Sequence, residues 1–328
     1  MHDELLIQID WEYVDLLKNK FNTQNELLSM PELETLRKID NFSYTQNIFQ
    51  RNYYELRKLL EHHNDDSHAL ELWHPKNRQN VDDIQMEILR LLHNFVAAAL
   101  SLIDHSRNHY KDLYARNNRF PEYEQEVKKR FSNNPLARFV KDLRQFCQHY
   151  KIPSILSQVV FIRQTNITTS ILQLEKSTLK QFFNWSPAAK EYLGNQGDLI
   201  DLLKLIDNYY TLITDFYKWF NDRQKEIHSD EFKKIAEKYN ELLSLIIPHK
   251  IKCRLKIVNQ GIGSPDDILA DILTQNEWAE VEKCSADSSQ RCEKIINFIN
   301  QKIPLASDLN EEIKNLFFSQ SIAKRDKS

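Results

Sequence analysis

"DDIQMEILRLLHNFVAAALSLIDHSRNHYKDLYAR", residues 82–116, decides the reading of the fold. It contains neither Gly nor Pro, and its two leading aspartates favour a helix N-terminus. Leu89, Leu92, Val96, Ala99 and Ile103 recur at helical spacing, and Leu91, Phe95, Ala98 and Leu102 form a second stripe. A helix that is apolar on more than one side is covered by several neighbours. The segment therefore reads as the central helix of a helical domain, with Ala97, Ala98 and Ala99 small enough to admit a close partner. A polar stripe interrupts it: Arg90, Asn94, Ala97, Ser101, Asp104 and Asn108, flanked by His93 and His105. Buried polar groups need partners, so this stripe faces either solvent or a polar site. In the second case Asp104 needs a cation beside it.

The rest of the chain extends the helical reading. Only four glycines occur in 328 residues, too few for the turns of a doubly wound sheet or a β-barrel. Residues 2–30 read as one or two amphipathic helices and 44–64 as another, followed by a polar connection that contains Pro75. A short helix is expected over 121–132. A second starts at Pro135, a favourable first-turn residue, and stops before Pro153. Residues 156–175, rich in Val, Ile and Thr around a polar "RQTN", read as a β-hairpin. Helices resume at 175–184, 187–193 and 198–227, and 229–247 pairs with the last as a helical hairpin. The aromatics of "NYYTLITDFYKWF" (208–220) fit a core stripe through Tyr209, Leu212, Ile213, Phe216 and Phe220. Residues 249–263 suggest a short strand and turn, 264–320 three or four short helices, and "SIAKRDKS" a frayed end. The expected class is mostly α, a helical bundle with one small β-hairpin inserted after the helix at 135–150. Three regions are expected: N-terminal helices packing on the core over 1–81, a helical core with the hairpin over 82–185, and a C-terminal helical region over 186–328.

Several chemistries lack their residues. No glycine-rich phosphate loop and no Gly-x-Ser-x-Gly elbow occurs. The four cysteines form no Cys-x-x-Cys, and so few in a chain of this size fit free thiols in a reducing compartment. His105 and His109 share a helix face but lack the glutamate of a zincin, and "HHNDD" (62–66) reads as an exposed helix end. No cofactor and no metal is expected. The N-terminus is acidic and amphipathic, unlike a signal peptide, and "NFVAAALSLI" is about half a membrane span. The chain therefore reads as cytoplasmic, with no membrane partner.

Charge is unevenly spread. His105–Lys151 holds 11 Lys+Arg against 5 Asp+Glu, a balance of +6 in a chain whose net charge is -3. A basic segment in an acidic protein either solvates helix faces or meets a polyanion. Within it lies "FVKDLRQFCQHYKIP" (139–153), with Arg144, Gln145 and His149 near a helix end. An arginine forks onto phosphate oxygens, and a histidine can move a proton near neutral pH. Together they hold the minimum for metal-free RNA cleavage: His149 moves the 2′-hydroxyl proton while Arg144 holds the scissile phosphate. On a regular helix the two side chains diverge by about 140°. They converge only if the turn distorts or a two-fold dimer supplies a second copy.

This arrangement resembles the HEPN superfamily, helical bundles marked by an arginine and a histidine with four to six residues between them. A polar residue usually follows the arginine; here it is Gln145, where the family more often shows Asn, Asp or His. The resemblance covers residues 82–155. It implies a protein that engages RNA, in its catalytic form a metal-independent endoribonuclease of a toxin or antiphage type. Arg144 and His149 would then be catalytic, with Gln145, Asp104, Asn94 and Ser101 in support. It further implies a homodimer, with an antitoxin or other protein as a partner. Other members have lost catalysis, and the alternative is a non-catalytic helical binding or scaffold protein.

Overall fold

The computed structural model describes residues 11–64, 76, 78–162, 167–260, 262, 272–285 and 289–325. Residues 2–10, most of the polar connection around Pro75, the hairpin centre 163–166 and much of 261–271 were read from the sequence but lie outside that set. Among the described residues the protein is mostly helical. Its helices are α1 (Trp11–Ser29), α2 (Pro31–Asn64), α3 (Arg78–Leu113), α4 (Tyr123–Val127), α5 (Pro135–His149), α6 (Lys176–Leu179), α7 (Pro187–Gly194), α8 (Leu202–Ile227), α9 (Ser229–Asn259), α10 (Gln275–Glu282), α11 (Ser289–Lys302) and α12 (Ser307–Arg325). One antiparallel sheet, β1 (Ile155–Ile162), β2 (Ile167–Glu175) and β3 (Leu199–Asp201), follows α5 in space order β1-β2-β3.

The chain divides into two units. One comprises residues 35–229; the other joins 1–34 to 230–328. The interruption near 185–197, read as a region border, lies inside the first unit, because Trp185, Ala189 and Leu193 belong to its core. That core gathers Phe49, Leu56 and Leu60 of α2, Leu92, Phe95 and Ala99 of α3, Phe139, Leu143 and Phe146 of α5, and Tyr209, Ile213, Phe216 and Phe220 of α8. The central helix α3 starts one turn earlier than expected and places both apolar stripes in this core. By length and hydropathy α3 could cross a membrane, but half of its most apolar stretch is buried in the protein.

Helix α5 owes its position to its N-terminal cap, its apolar face and one buried carboxylate. Asn134 caps it, its side chain accepting from the Ala137 amide at 3.1 Å, and Pro135 occupies the first turn. Phe139 stacks on Trp185 at 5.3 Å and on Tyr192 at 4.7 Å. Buried Asp142 accepts the Ser186 amide at 2.7 Å, which ties α5 to the start of α7. The hairpin forms as read, with Ile155 opposite Leu174 and Ile162 opposite Ile167. The sequence reading missed β3: Leu199–Asp201, taken as helix, pairs with Gln173–Glu175 before Asp201 caps α8.

The second unit holds its own core, with Ile247, Ile251 and Leu255 of α9, Ile295 and Ile299 of α11 and Ile313 of α12. Here the strand expected at 249–263 is corrected. Helix α9 runs through Pro248 to Asn259. Ile247, Ile251, Leu255 and Val258 keep helical spacing and are all buried, and burial of that face outweighs the proline's missing N–H. Likewise α12 continues to Arg325, past the start of the segment read as frayed.

Candidate functional site

Helices α3 and α5 pack side by side, and a cavity of about 150 Å³ opens between them. Leu100 and Ile103 of α3 and Ala137 of α5 line it together with Phe131. Its polar lining is Arg107, Arg138, Lys141, Arg144, Asp104 and Ser132. Four cations thus meet one carboxylate, and among the described residues Asp104 pairs with Arg107, at 3.4 Å. On α5 the cations recur every third residue, so they climb one side of the helix. The near wall is a π turn, Lys128–Ser132, which continues α4 and ends with Ser132 in the cavity. Such turns are rare and concentrate at functional sites.

Arg107 and Lys141 are exposed, Arg138 is half-buried, and Arg144 is the cation with an enclosed donor. It is half-buried, and its Nε is enclosed without a hydrogen-bond partner among the described atoms. That Nε is closed to solvent, so an incoming acceptor oxygen meets the guanidinium only at its other N–H donors. A cavity of this size and charge has room for a phosphate or carboxylate group.

The other residues singled out from sequence are distributed as follows. Asp104 joins Arg144 at the cavity. His149 is exposed, is the last residue of α5 and lies outside the cavity lining. The helix stays regular as far as His149, so the two motif side chains diverge within one chain. Gln145 is exposed beside them. The polar stripe of α3 faces solvent: Arg90, Ser101, Asp104 and Asn108 are exposed and Asn94 half-buried. Arg90 is held by Glu87 through two hydrogen bonds of 2.7 and 2.6 Å.

The histidines of interest are engaged separately. His105 Nδ1 lies 3.0 Å from the Thr45 hydroxyl. His109 stacks on Phe42 and meets Gln224 at 2.6 Å. Burial holds His109 below its ordinary value, partly offset by that Gln224 bond. The exposed end expected at 62–66 is corrected at His63. This ring is buried, and its Nε2 lies 3.0 Å from Ser157 and 3.1 Å from Ser170, pinning α2 to the hairpin. Burial again lowers its pKa. All four cysteines are free; Cys147 is pushed up to about 12 by burial, so its thiol stays protonated.

Sequence reasoning named Arg144 and Asp104 but not Arg107, Arg138 or Lys141. The three-residue spacing of 138, 141 and 144 was the available signal. Arg107 had none, because only packing brings it to α5. Comparison of the chain with protein-family models, with characterised proteins and with solved structures found no match.

Proposed function

We propose that the chain is an HEPN-like protein that engages RNA by gripping a backbone phosphate in the α3–α5 cavity. The observation that carries this reading is the convergence of Arg107, Arg138, Lys141 and Arg144 on one small cavity opposed by Asp104 alone. Arg144 supplies the buried fork, and the other three cations neutralise neighbouring phosphates at the rim. Cleavage, in this reading, needs a homodimer: His149 of a second copy takes the 2′-hydroxyl proton, the 2′-oxygen bonds to the phosphorus held by Arg144, and the P–O5′ bond breaks with the 5′-oxygen taking a proton from water. The toxin or antiphage role belongs to the same proposal, with the antitoxin or other protein as its partner. The non-catalytic alternative, an RNA-binding or scaffold protein, is favoured by the divergence of Arg144 and His149 within one chain.

Incubating single-stranded RNA with the full chain in EDTA tests both. Affinity should fall steeply with salt, and Arg144→Ala should weaken it about tenfold and flatten the salt slope by about one phosphate contact. Products ending in 2′,3′-cyclic phosphate from wild type, absent with His149→Ala, support catalysis. Tight binding without products from either protein supports the non-catalytic form. Absence of salt-dependent binding rejects the proposal.

A further inference from the structure

A second cavity, of about 210 Å³, opens on the same seam as the basic one. On α3 it is lined by Met86, Leu89, Leu92, His93 and Asn94, and from the far side by Cys147, Ile152 and Pro153, with Arg90 at its edge. The two helices run antiparallel here: residues 100–107 of α3 lie across from 137–144, and residues 86–94 across from 147–153. Of the solvent-facing stripe, Arg90 and Asn94 line the second cavity and Asp104 the first. Along α3 the ten helical steps from Asn94 to Asp104 span about 15 Å, a distance that a single RNA strand covers in a few nucleotides.

The two cavities differ in chemistry. The first is cationic. The second carries no free charge, because Glu87 neutralises its one cation, Arg90, through both guanidinium contacts. Its floor is apolar and its polar groups are the His93 ring and the Asn94 amide, neither hydrogen-bonded to another described side chain. A cavity of roughly 150 Å³ takes one benzene ring, so this volume accommodates a flat heterocycle. An asparagine amide offers one donor and one acceptor, the pair that matches a base edge.

Resting on the RNA reading above, we propose that this second cavity binds a single unpaired nucleobase of the RNA whose phosphate sits in the basic cavity. Leu89, Leu92 and Pro153 enclose the ring, while Asn94 and His93 read its edge. The proposal makes the substrate single-stranded at this position, because a base inside a duplex cannot leave the stack to enter.

The test compares oligouridylate and oligoadenylate with inorganic polyphosphate of matched charge, using the full-length chain. Wild type should bind at least one of the two oligonucleotides more tightly than polyphosphate. Asn94→Ala should weaken that oligonucleotide several-fold and leave polyphosphate unchanged, whereas Arg144→Ala should weaken both. His93→Ala, an exposed position, serves as a second variant with the same expected pattern, and circular dichroism confirms folding of each. If RNA binds in a salt- and Arg144-dependent way but responds to neither Asn94→Ala nor His93→Ala, the base cavity is overturned and the phosphate reading survives. If neither oligonucleotide binds, both fail together.

Discussion

Tyr209 and Tyr217 lie two turns apart on α8, both enclosed in the core, and their hydroxyls have opposite surroundings. That of Tyr217 lies 3.2 Å from the Leu102 carbonyl and 3.1 Å from Ser106 Oγ, whereas that of Tyr209 is buried without a partner. An unsatisfied buried hydroxyl costs free energy that a satisfied one does not. Tyr209→Phe should therefore stabilise the protein, by about 1 kcal/mol, and Tyr217→Phe destabilise it by about 1 kcal/mol. Urea unfolding decides, and the reverse order would show that the hydroxyl environments are misassigned. His63 and His109 give a pH dependence. Burial lowers both from 6.5, so the folded chain keeps them neutral while the unfolded chain takes up protons near that pH. Their contribution is complete above about 6.5 and is lost as pH falls below it. The thermal midpoint should drop between about pH 7 and pH 5, and His63→Gln with His109→Gln should flatten that slope. A slope unchanged by both substitutions contradicts the assignment.

At the scale of elements, α5 carries the site and is held by a cap, a stacked face and one buried carboxylate. Asn134→Ala removes the cap and should cost about 1 kcal/mol; Phe146→Ala, at a fully enclosed position, should cost about 3–5 kcal/mol. Both are read by chemical denaturation. A near-neutral Phe146→Ala would mean that the α5 face does not hold the helix. Elements with several turns of apolar repeat were legible in the sequence: α3, α5, α8 and the paired strands β1 and β2. The misread ones share a physical cause. β3 has three residues, too few for any period, and exists only through its pairing with β2. At α9 Pro248 breaks the local helical signal, but the 247, 251, 255, 258 repeat continues across it, and burial of that face won. The π turn differs from an α turn by a single inserted residue, and nothing local marks it.

At the scale of the whole molecule, the first unit closes its core within residues 35–229, and the core of the second lies within residues 243–317 although the unit also takes in the N-terminal segment. A chain of residues 35–229 should fold alone, with cooperative unfolding and dispersed amide resonances, and should retain Arg144-dependent RNA binding. A collapsed, non-cooperative product would show that the second unit is required. By itself the sequence determined the helical class, the central helix with its polar stripe, the hairpin and the identity of Arg144, because helical and strand periods are local properties of the chain. Only the tertiary structure decided that the stripe faces solvent and that Arg107 joins the cations of α5. Those facts depend on how α3 and α5 pack against each other, which Phe139, Leu143 and Phe146 set from the far side of the helix, and no spacing along the chain encodes it.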